Sequence, residues 1–171
     1  MRIIGPPSVD RTTMAQSPVL ADSHLRFGAQ IAPALWDECV ALGIDPVGAI
    51  AQSYKETGGG TFRGKVTPEH YNTGGIKVRH LGYGGPSTLG DEQLAHAAFA
   101  SWTIGARAHA QHLAAYAGAT LLDRDIVDPR YWLVDRSKWI ETFEELGGKW
   151  APSPTYGTEL VAIARRLGYP R

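Results

Sequence analysis

The stretch GIDPVGAIAQSYKETGGG, residues 43–60, decides the fold class of this 171-residue chain. Asp45 followed by Pro46 is a strong helix start, because an aspartate side chain caps free N–H groups and proline fits the first turn. The apolar run that follows ends at a row of glycines beginning with Gly58, and glycine commonly stops helices. The stretch therefore predicts a helix that carries Glu56 in its last turn.

The same kinds of signal predict helices over much of the remaining chain. Apolar residues recur at helical spacing across 24–42, and this pattern ends at Gly43. Pro33 lies inside the pattern, so we expect a break or a fresh start near Ala32. Further helices are expected at 101–118, 137–147 and 155–168, with Ser101 or Thr103, Ser137 and Thr155 as their caps.

Two segments depart from the helical pattern. Residues 61–101 are rich in glycine and contain short β-prone pieces at 75–78 and 96–99, which predicts a long irregular loop with a small β-hairpin. Residues 1–22 contain proline breakers, and we expect an extended N-terminal arm. The sequence therefore predicts a mainly α (α+β) protein with a single domain at 23–171.

Composition excludes several partners. The chain has 17 basic and 17 acidic residues, whereas nucleic-acid binding depends on clustered lysine and arginine, so we expect no nucleic-acid partner. No segment has the length of a membrane span, and the first residues lack the apolar stretch of a signal peptide. The single cysteine, Cys39, lies at helical spacing with Leu35 and Leu42, which favours a buried and inert thiol.

Glu56 is the first candidate for chemistry. It lies in the last turn of an apolar helix, just before a glycine stop. The C-terminal end of a helix carries partial negative charge. That charge and the apolar surroundings disfavour the ionised carboxylate and raise its pKa. A raised carboxyl pKa suits a general acid that protonates a glycosidic oxygen near neutral pH. A solvated glutamate at a helix end is the alternative interpretation of this stretch taken alone.

Five pieces of the sequence resemble the glucosaminidase family, glycoside hydrolase family 73, and in particular its bacteriophage and actinobacterial lysin-like branch. They occur in the order found in that family and cover about 24–168, nearly the whole chain. The pieces are GIDPVGAIAQSYKETGGGTF, HYNTGGIKV, FASWTIGARAHAQHLAAYAG, VDPRYW and GGKWAPSPTYG.

The resemblance implies a lysozyme-like fold with a cleft beside the hairpin, and hydrolysis of the β-1,4 bond that follows N-acetylglucosamine. It implies Glu56 as the acid, Tyr156 at the cleft near the last helix, and a turn whose Asn72 and Gly75 meet the substrate. The usual double-asparagine turn reads Tyr71-Asn72-Thr73-Gly74 here, with one asparagine kept. We expect the turn to be kept, with only its edge changed.

A second carboxylate is expected in most glycosidases, as a base or a nucleophile. The family places it on the hairpin, where Glu92 is the preferred candidate and Asp91 is the next. Glu69, which lies before the Asn72 turn, is a weaker third. A solvated turn is an equally good interpretation of Glu92. Some family members rely on the acetamido group of the substrate instead, so the need for this residue stays open.

Aromatic and histidine residues complete the set of candidates. Trp150 is expected at the cleft, and Tyr83 lies in a glycine-rich turn that could present it as a lid residue. His96, His109 and His112 invite a zinc site, but the spacing of three on the helix and the residues between them do not fit the usual metalloprotease pattern. We assign these histidines to packing or hydrogen bonding, and expect neither a metal nor a cofactor.

The resulting hypothesis is a peptidoglycan hydrolase of the endo-β-N-acetylglucosaminidase type, acting on glycan strands. The absence of a signal peptide fits a phage lysin released from the host cytoplasm, or a virion-associated enzyme with other tail or lysis proteins as partners. The alternatives are a muramidase or lytic transglycosylase of the same fold, a non-catalytic wall-binding or tail module, and a zinc-dependent amidase or peptidase.

Overall fold

The central helix of the fold is α4, Pro46–Thr57, in a computed structural model that describes residues 1–78, 95–121 and 125–170. The Asp45 carboxylate accepts a hydrogen bond from the Val47 N–H at 3.1 Å, and Gly58 ends the helix in the left-handed conformation with φ 58°. Both ends are therefore as predicted. Most of α4 is buried because α3 and α6 pack against it and α5 also contacts it.

The remaining helices surround α4. A π-helical turn at Phe27–Ile31 leads into α3, so the chain changes helix type just before Pro33, close to the predicted break. Gly43 ends α3, and Ser101 caps α5 by accepting a hydrogen bond from the Ile104 N–H at 3.3 Å. The bounds are Arg11–Ala15 for α1, Pro18–Ala21 for α2, Ala32–Leu42 for α3, Trp102–Tyr116 for α5 and Tyr156–Arg166 for α6.

Two apolar clusters lie on either side of α4. One contains Phe27, Ile31 and Ile50, and the other contains Leu113, Phe143 and further side chains from α5 and α6. Glycine permits close approach in the second cluster, because a Cβ added at Gly48 would lie 2.2 Å from the Phe143 ring. These contacts fix the position of α4 and hence of the glutamate in its last turn.

A small β element stands beside the helices. Lys77 pairs with His96 in an antiparallel bridge, and the Ala97 N–H donates to the Ile76 carbonyl at 2.8 Å. This pairing joins the two predicted β-prone pieces, and the mainly helical fold with a small β part is confirmed. Residues 79–94, between the two pieces, lie outside the described part of the chain.

The N-terminal segment differs from the predicted extended arm. Instead of an arm, the structure has α1 and α2 there, with Met14 and Val19 buried in the first cluster. Ile3 is also buried, and its carbonyl accepts a hydrogen bond from the Asp45 N–H. Proline allowed short helices at this end because Pro18 occupies the first turn of α2, where its missing N–H costs nothing.

The predicted helix at 137–147 is also corrected. The structure has two short 3-10 turns there, Arg136–Lys138 and Phe143–Leu146. Between the two turns the Ile140 N–H donates to the Tyr116 carbonyl, and at the start of the second turn the Phe143 N–H donates to the Met1 carbonyl. These long-range bonds replace the hydrogen bonds that a continuous helix would need.

Two further findings concern predictions made from composition. Cys39 is fully buried, as expected, and burial raises the pKa of its thiol far above the usual range. Within the described ranges, none of the helices has the length and apolar character needed to cross a membrane.

Candidate active site

Glu56 lies at an open cleft of about 360 Å³ where α4 ends. The cleft runs between the Asn72 turn with its β bridge on one side and the segment before α6 on the other. Its lining comprises Glu56, Phe62, Gly64, Lys65, Val66, Gly74, Gly75, Lys77, His96, Trp150, Ala151 and Pro152. Glu56, the residue predicted to be the acid, therefore lies at the C-terminal end of α4 and lines the cleft.

The environment of Glu56 suits a proton donor. The residue is accessible from the cleft, yet protein atoms surround its carboxyl group closely enough that desolvation raises its pKa. A hydrogen bond from Tyr156 and the charge of Lys55 oppose this rise without cancelling it. Desolvation dominates because the helix end and the Tyr156 side chain exclude water from one side of the carboxyl group.

Tyr156 contacts Glu56 directly. Its hydroxyl donates a hydrogen bond to the Glu56 Oε1 atom and accepts one from the Gln52 Nε2 atom at 3.1 Å. The side chain is buried, and desolvation followed by the nearby Glu56 charge raises the pKa of the phenol. Tyr156 therefore holds Glu56. Its buried side chain is not among the residues that line the cleft, where the resemblance placed it.

The start of α6 fixes this tyrosine. Thr155 precedes the helix as predicted, but its hydroxyl donates to the Glu159 carboxylate at 2.6 Å instead of capping a backbone N–H. Glu159 also pairs with Lys55 at 2.5 Å, which ties α6 to the end of α4 next to Glu56. A Cβ added at Gly157 would lie 2.1 Å from the Glu144 carbonyl, so α6 packs closely on its neighbour.

Asn72 shapes the turn opposite Glu56. Its Nδ2 atom donates to the carbonyls of Ile76 and Ala97 at 2.8 and 2.9 Å, and its Oδ1 atom accepts from the N–H groups of Gly74 and Ile76 at 3.3 and 3.0 Å. The side chain is fully buried. Asn72 is thus saturated within the protein, and the prediction that it contacts substrate is replaced by a structural role.

Gly75 brings that turn close to the acid. It adopts φ 65°, a conformation that favours glycine, and an added Cβ would lie 3.2 Å from the Glu56 Oε2 atom. The glycine therefore leaves room for Glu56 at the cleft, which Gly75 also lines. Its contact with substrate stays a prediction.

The helical histidines make hydrogen bonds inside the protein. The two nitrogens of His109 lie 3.1 Å from Thr73 Oγ1 and 2.9 Å from Gln52 Oε1, and burial lowers its pKa to about 3. His112 Nδ1 lies 2.7 Å from the buried Asp128 carboxylate. These contacts agree with the assignment to packing and hydrogen bonding. The described residues contain no group of three or more potential metal ligands.

A family model described as mannosyl-glycoprotein endo-beta-N-acetylglucosaminidase matches residues 32–169. The chain belongs to the glucosaminidase family. The match spans Glu56, the Asn72 turn and Tyr156. This is a family of glycoside hydrolases, which agrees with a carboxyl acid at an open cleft.

The chain is also similar to a curated bacterial protein. An uncharacterized protein of Borreliella burgdorferi is 34% identical over 131 residues, which is 77% of this chain and 58% of that protein. The glucosaminidase chain therefore spans little more than half of that relative's length. No solved structure matches the chain.

Among the described residues that line the cleft, Glu56 is the one acidic side chain, so no candidate for a second carboxylate lies there. Glu92, Asp91 and Tyr83 lie outside the described residues. Glu69 is exposed on the 3-10 turn Pro68–His70, and hydrogen bonds led by the Thr67 side chain lower the pKa of its carboxyl. Glu69 does not line the cleft.

Trp150 lies at the cleft of the glucosaminidase site, as predicted. Its ring is 5.3 Å from that of His109, 4.9 Å from that of His112 and 5.8 Å from that of Tyr116, measured between centroids. Contacts with three rings on α5 hold the indole in a fixed orientation. An aromatic face held in this way is suited to packing on a sugar ring.

Some residues of the site were missed at the sequence level. Lys65 and Lys77 line the cleft, and His96 lies there as well instead of being only a packing residue. Gln52 donates a hydrogen bond to the Tyr156 hydroxyl, and Thr73 is hydrogen-bonded to His109. The one available signal was spacing, since Gln52 lies four residues before Glu56 on α4 and must share its face.

Proposed function

We propose that this domain is a peptidoglycan hydrolase that cleaves β-1,4 glycosidic bonds as an endo-β-N-acetylglucosaminidase, with Glu56 as the general acid. The observation that carries the proposal is the carboxyl group of Glu56, desolvated at an open cleft and held by Tyr156 in a chain of the glucosaminidase family. A cleft that is open to solvent fits an enzyme that binds within a polymer.

In the proposed reaction, Glu56 transfers its proton to the glycosidic oxygen as the bond from that oxygen to the anomeric carbon breaks. The leaving sugar departs with a new hydroxyl group, and Glu56 becomes a carboxylate that faces the positive charge developing on the other sugar. Water, or first the acetamido oxygen of the substrate, attacks the anomeric carbon. Water then supplies the hydroxyl of the new reducing end, and its remaining proton restores the acid form of Glu56, directly or through the group that activated the water.

The residues around Glu56 support this sequence of events. Phe62 and Trp150 offer aromatic faces in the cleft for pyranose rings, and Gly75 leaves space beside Glu56 Oε2. Glu92 stays the proposed group for activating water, with Asp91 as the alternative, and the acetamido route needs neither. Lys65 and Lys77 line the same cleft, where cations suit the carboxylates of peptide stems.

Product analysis tests the bond that is cut. Purified peptidoglycan is digested with the protein, the products are reduced with borohydride, and their masses are measured. We expect N-acetylglucosamine at the new reducing ends. Muramic acid at those ends would indicate a muramidase, an anhydro product would indicate a lytic transglycosylase, and free stem peptides would indicate an amidase. No new ends with intact binding to peptidoglycan would indicate a wall-binding module.

The biological setting is part of the proposal. A phage lysin or a tail-associated enzyme fits the lysin-like motifs of the sequence, with other tail or lysis proteins as partners. Lysis of host cells on co-expression with a membrane-permeabilising holin, but not on expression of the domain alone, would support release from the cytoplasm. Lysis from outside by intact virions, blocked by antibodies to this chain, would support a virion position.

A further inference from the structure

Four buried side chains form a continuous hydrogen-bonded chain that ends at Glu56. Thr73 Oγ1 lies 3.1 Å from His109 Nδ1, His109 Nε2 lies 2.9 Å from Gln52 Oε1, and Gln52 Nε2 lies 3.1 Å from the Tyr156 hydroxyl. Tyr156 then donates to Glu56 Oε1. The four residues come from the Asn72 turn, α5, α4 and α6, so their hydrogen bonds link the turn to three helices.

The donor and acceptor atoms of these side chains fix the direction in which each hydrogen bond is donated. Gln52 Oε1 can only accept, so the proton of the neutral His109 ring is on Nε2. His109 Nδ1 then has a free lone pair and accepts from the Thr73 hydroxyl. The other acceptor near that hydroxyl, the Gly105 carbonyl, lies farther away at 3.4 Å.

The same direction continues to the acid. The Gln52 amide donates to the Tyr156 oxygen, which leaves the phenolic hydrogen for Glu56 Oε1. Because Oε1 already accepts this hydrogen, a proton on the carboxyl group belongs on Oε2. Oε2 is the oxygen next to Gly75, where an added Cβ would lie 3.2 Å away, and Gly75 lines the cleft.

We propose that Thr73, His109 and Gln52 are positioning residues which, through Tyr156, keep the acid proton of Glu56 on Oε2, the oxygen that faces the cleft. The same donors stabilise the carboxylate that remains after proton transfer. The proposal rests on the proposed function for its catalytic meaning, while the direction of the chain is a property of the free protein. Without a fixed direction, Tyr156 could rotate to accept the proton of Glu56, and the acid would face away from substrate.

Other charged and titratable groups near the chain lie outside it. The Lys55–Glu159 pair lies beside Tyr156, His112 lies one turn along α5 from His109, and the Trp150 ring packs on His109. Lys65, Lys77 and His96 line the cleft near Glu56. A substitution at Thr73 leaves all of these in place, so its effect on the titration of Glu56 reports the chain.

The first test uses ¹⁵N NMR of the histidine rings in the free protein, with His109 assigned by comparison with His109→Gln. We expect the Nε2–H tautomer of His109 throughout the pH range in which Glu56 titrates. The Nδ1–H tautomer, or a change of tautomer with the protonation of Glu56, would overturn the proposal. This measurement needs no substrate, so its result is independent of the proposed function.

The second test compares three variants. Thr73→Val removes the hydroxyl at the start of the chain, and Thr73→Ser restores one. Ser53→Ala is a matched control, because Ser53 is buried on α4 and its hydroxyl has no hydrogen-bond partner among the described residues. We expect Thr73→Val to move the alkaline limb of the kcat/KM profile upward by about 0.5 pH unit, since a donor to the carboxylate is weakened.

The shift of the alkaline limb distinguishes a positioning role of Thr73 from an effect on protein stability alone. Thr73→Ser is expected to recover the wild-type profile and Ser53→Ala to retain it, whatever their melting temperatures. An unmoved limb in Thr73→Val, or an equal shift in Ser53→Ala, would contradict a positioning role. If the protein shows no hydrolase activity, the carboxyl ¹³C shift of Glu56 gives the same titration in the same variants. An unchanged titration of Glu56 in Thr73→Val would contradict the hydrogen-bonded chain of side chains itself.

Discussion

The two halves of one helical face in α4 have opposite character. Gly48, Gln52 and Glu56 follow one another at intervals of four and share this face. Gly48 lies against the Phe143 ring in an apolar cluster, whereas Gln52 is buried among hydrogen-bond partners and Glu56 opens to the cleft. The first half contributes packing, and the second half holds polar groups in place for chemistry.

This difference shows how a single helix can serve both stability and function. Tight packing near Gly48 fixes the axis of α4, so that Glu56, two turns later, has a defined position. The buried polar groups near Gln52 contribute less to stability, because their hydrogen bonds mainly offset the cost of removing them from water. Substitutions in the two halves should therefore affect different measurements.

The largest effect is expected at the cleft end. Glu56→Gln keeps the shape of the side chain and removes the transferable proton, so we expect the rate of cell-wall hydrolysis to fall by about 10²–10⁴. The melting temperature should change little. Glu141→Gln, at an exposed site away from the cleft, is the control and should retain activity. A folded Glu56→Gln protein with nearly full activity would exclude Glu56 as the acid.

The next effect is expected at the packed end. A methyl group at Gly48 would overlap the Phe143 ring, so Gly48→Ala should lower the free energy of unfolding by about 1–3 kcal/mol, measured by urea denaturation. Activity per folded molecule should stay close to wild type. Gly28→Ala is the matched control, because the nearest atoms to its added Cβ lie 3.9 Å away. Equal stability of the two variants would show that the Phe143 ring moves to accommodate the added methyl group.

Tyr156→Phe should produce a smaller effect on the polar half. The variant removes the donor to Glu56 Oε1 and leaves the Gln52 amide without an acceptor. We expect kcat to fall about tenfold, which corresponds to about 1.4 kcal/mol, and the pKa of Glu56 to rise further. Tyr116→Phe is the control, since that hydroxyl donates to the Lys149 carbonyl instead. If both variants are fully active, the hydroxyl of Tyr156 has only a packing role.

The last prediction concerns the pH dependence of stability. His109 has a pKa of about 3 in the folded protein and about 6.5 when unfolded, so only the unfolded chain gains this proton between those values. Its contribution to stability is present above pH 6.5 and should be lost by about 1.4 kcal/mol per pH unit as the pH falls towards 3. The raised pKa values of Glu56 and Asp45 act in the opposite direction.

The difference between wild type and His109→Gln isolates this contribution, because the carboxylates are common to both. Urea denaturation at a series of pH values between 7 and 4 gives the two slopes. A smaller slope in His109→Gln is expected. Parallel slopes would mean that His109 takes up a proton in the folded state more readily than its burial indicates.

The sequence predicted those features that depend on local signals. The Asp45–Pro46 start, the Gly58 stop and the Ser101 cap each act within a few residues of their own position, and all three were found. The position of Glu56 at a helix end followed from two of them. The family motifs then identified the Asn72 turn and Tyr156 as parts of the same site.

Features that depend on distant partners could not be predicted in this way. Ile3 is buried because its segment forms backbone hydrogen bonds with residues 43–45 and 141. No local hydrophobic periodicity in the sequence indicates this burial. The 3-10 turn Phe143–Leu146 forms where long-range backbone bonds interrupt a helical pattern. Gln52 and His109 meet across 57 positions, so the polar chain beneath Glu56 is visible only in three dimensions.

The buried thiol of Cys39 has a practical consequence. The chain contains one cysteine, and that thiol is enclosed in the apolar cluster beside α3 with its ionisation strongly suppressed. Maleimide and methanethiosulfonate reagents act on accessible thiolates. A cysteine placed at the rim of the cleft, for example by Pro152→Cys, would therefore be labelled selectively in the folded protein. A single fluorophore at that position could follow glycan binding in real time without first removing the native cysteine.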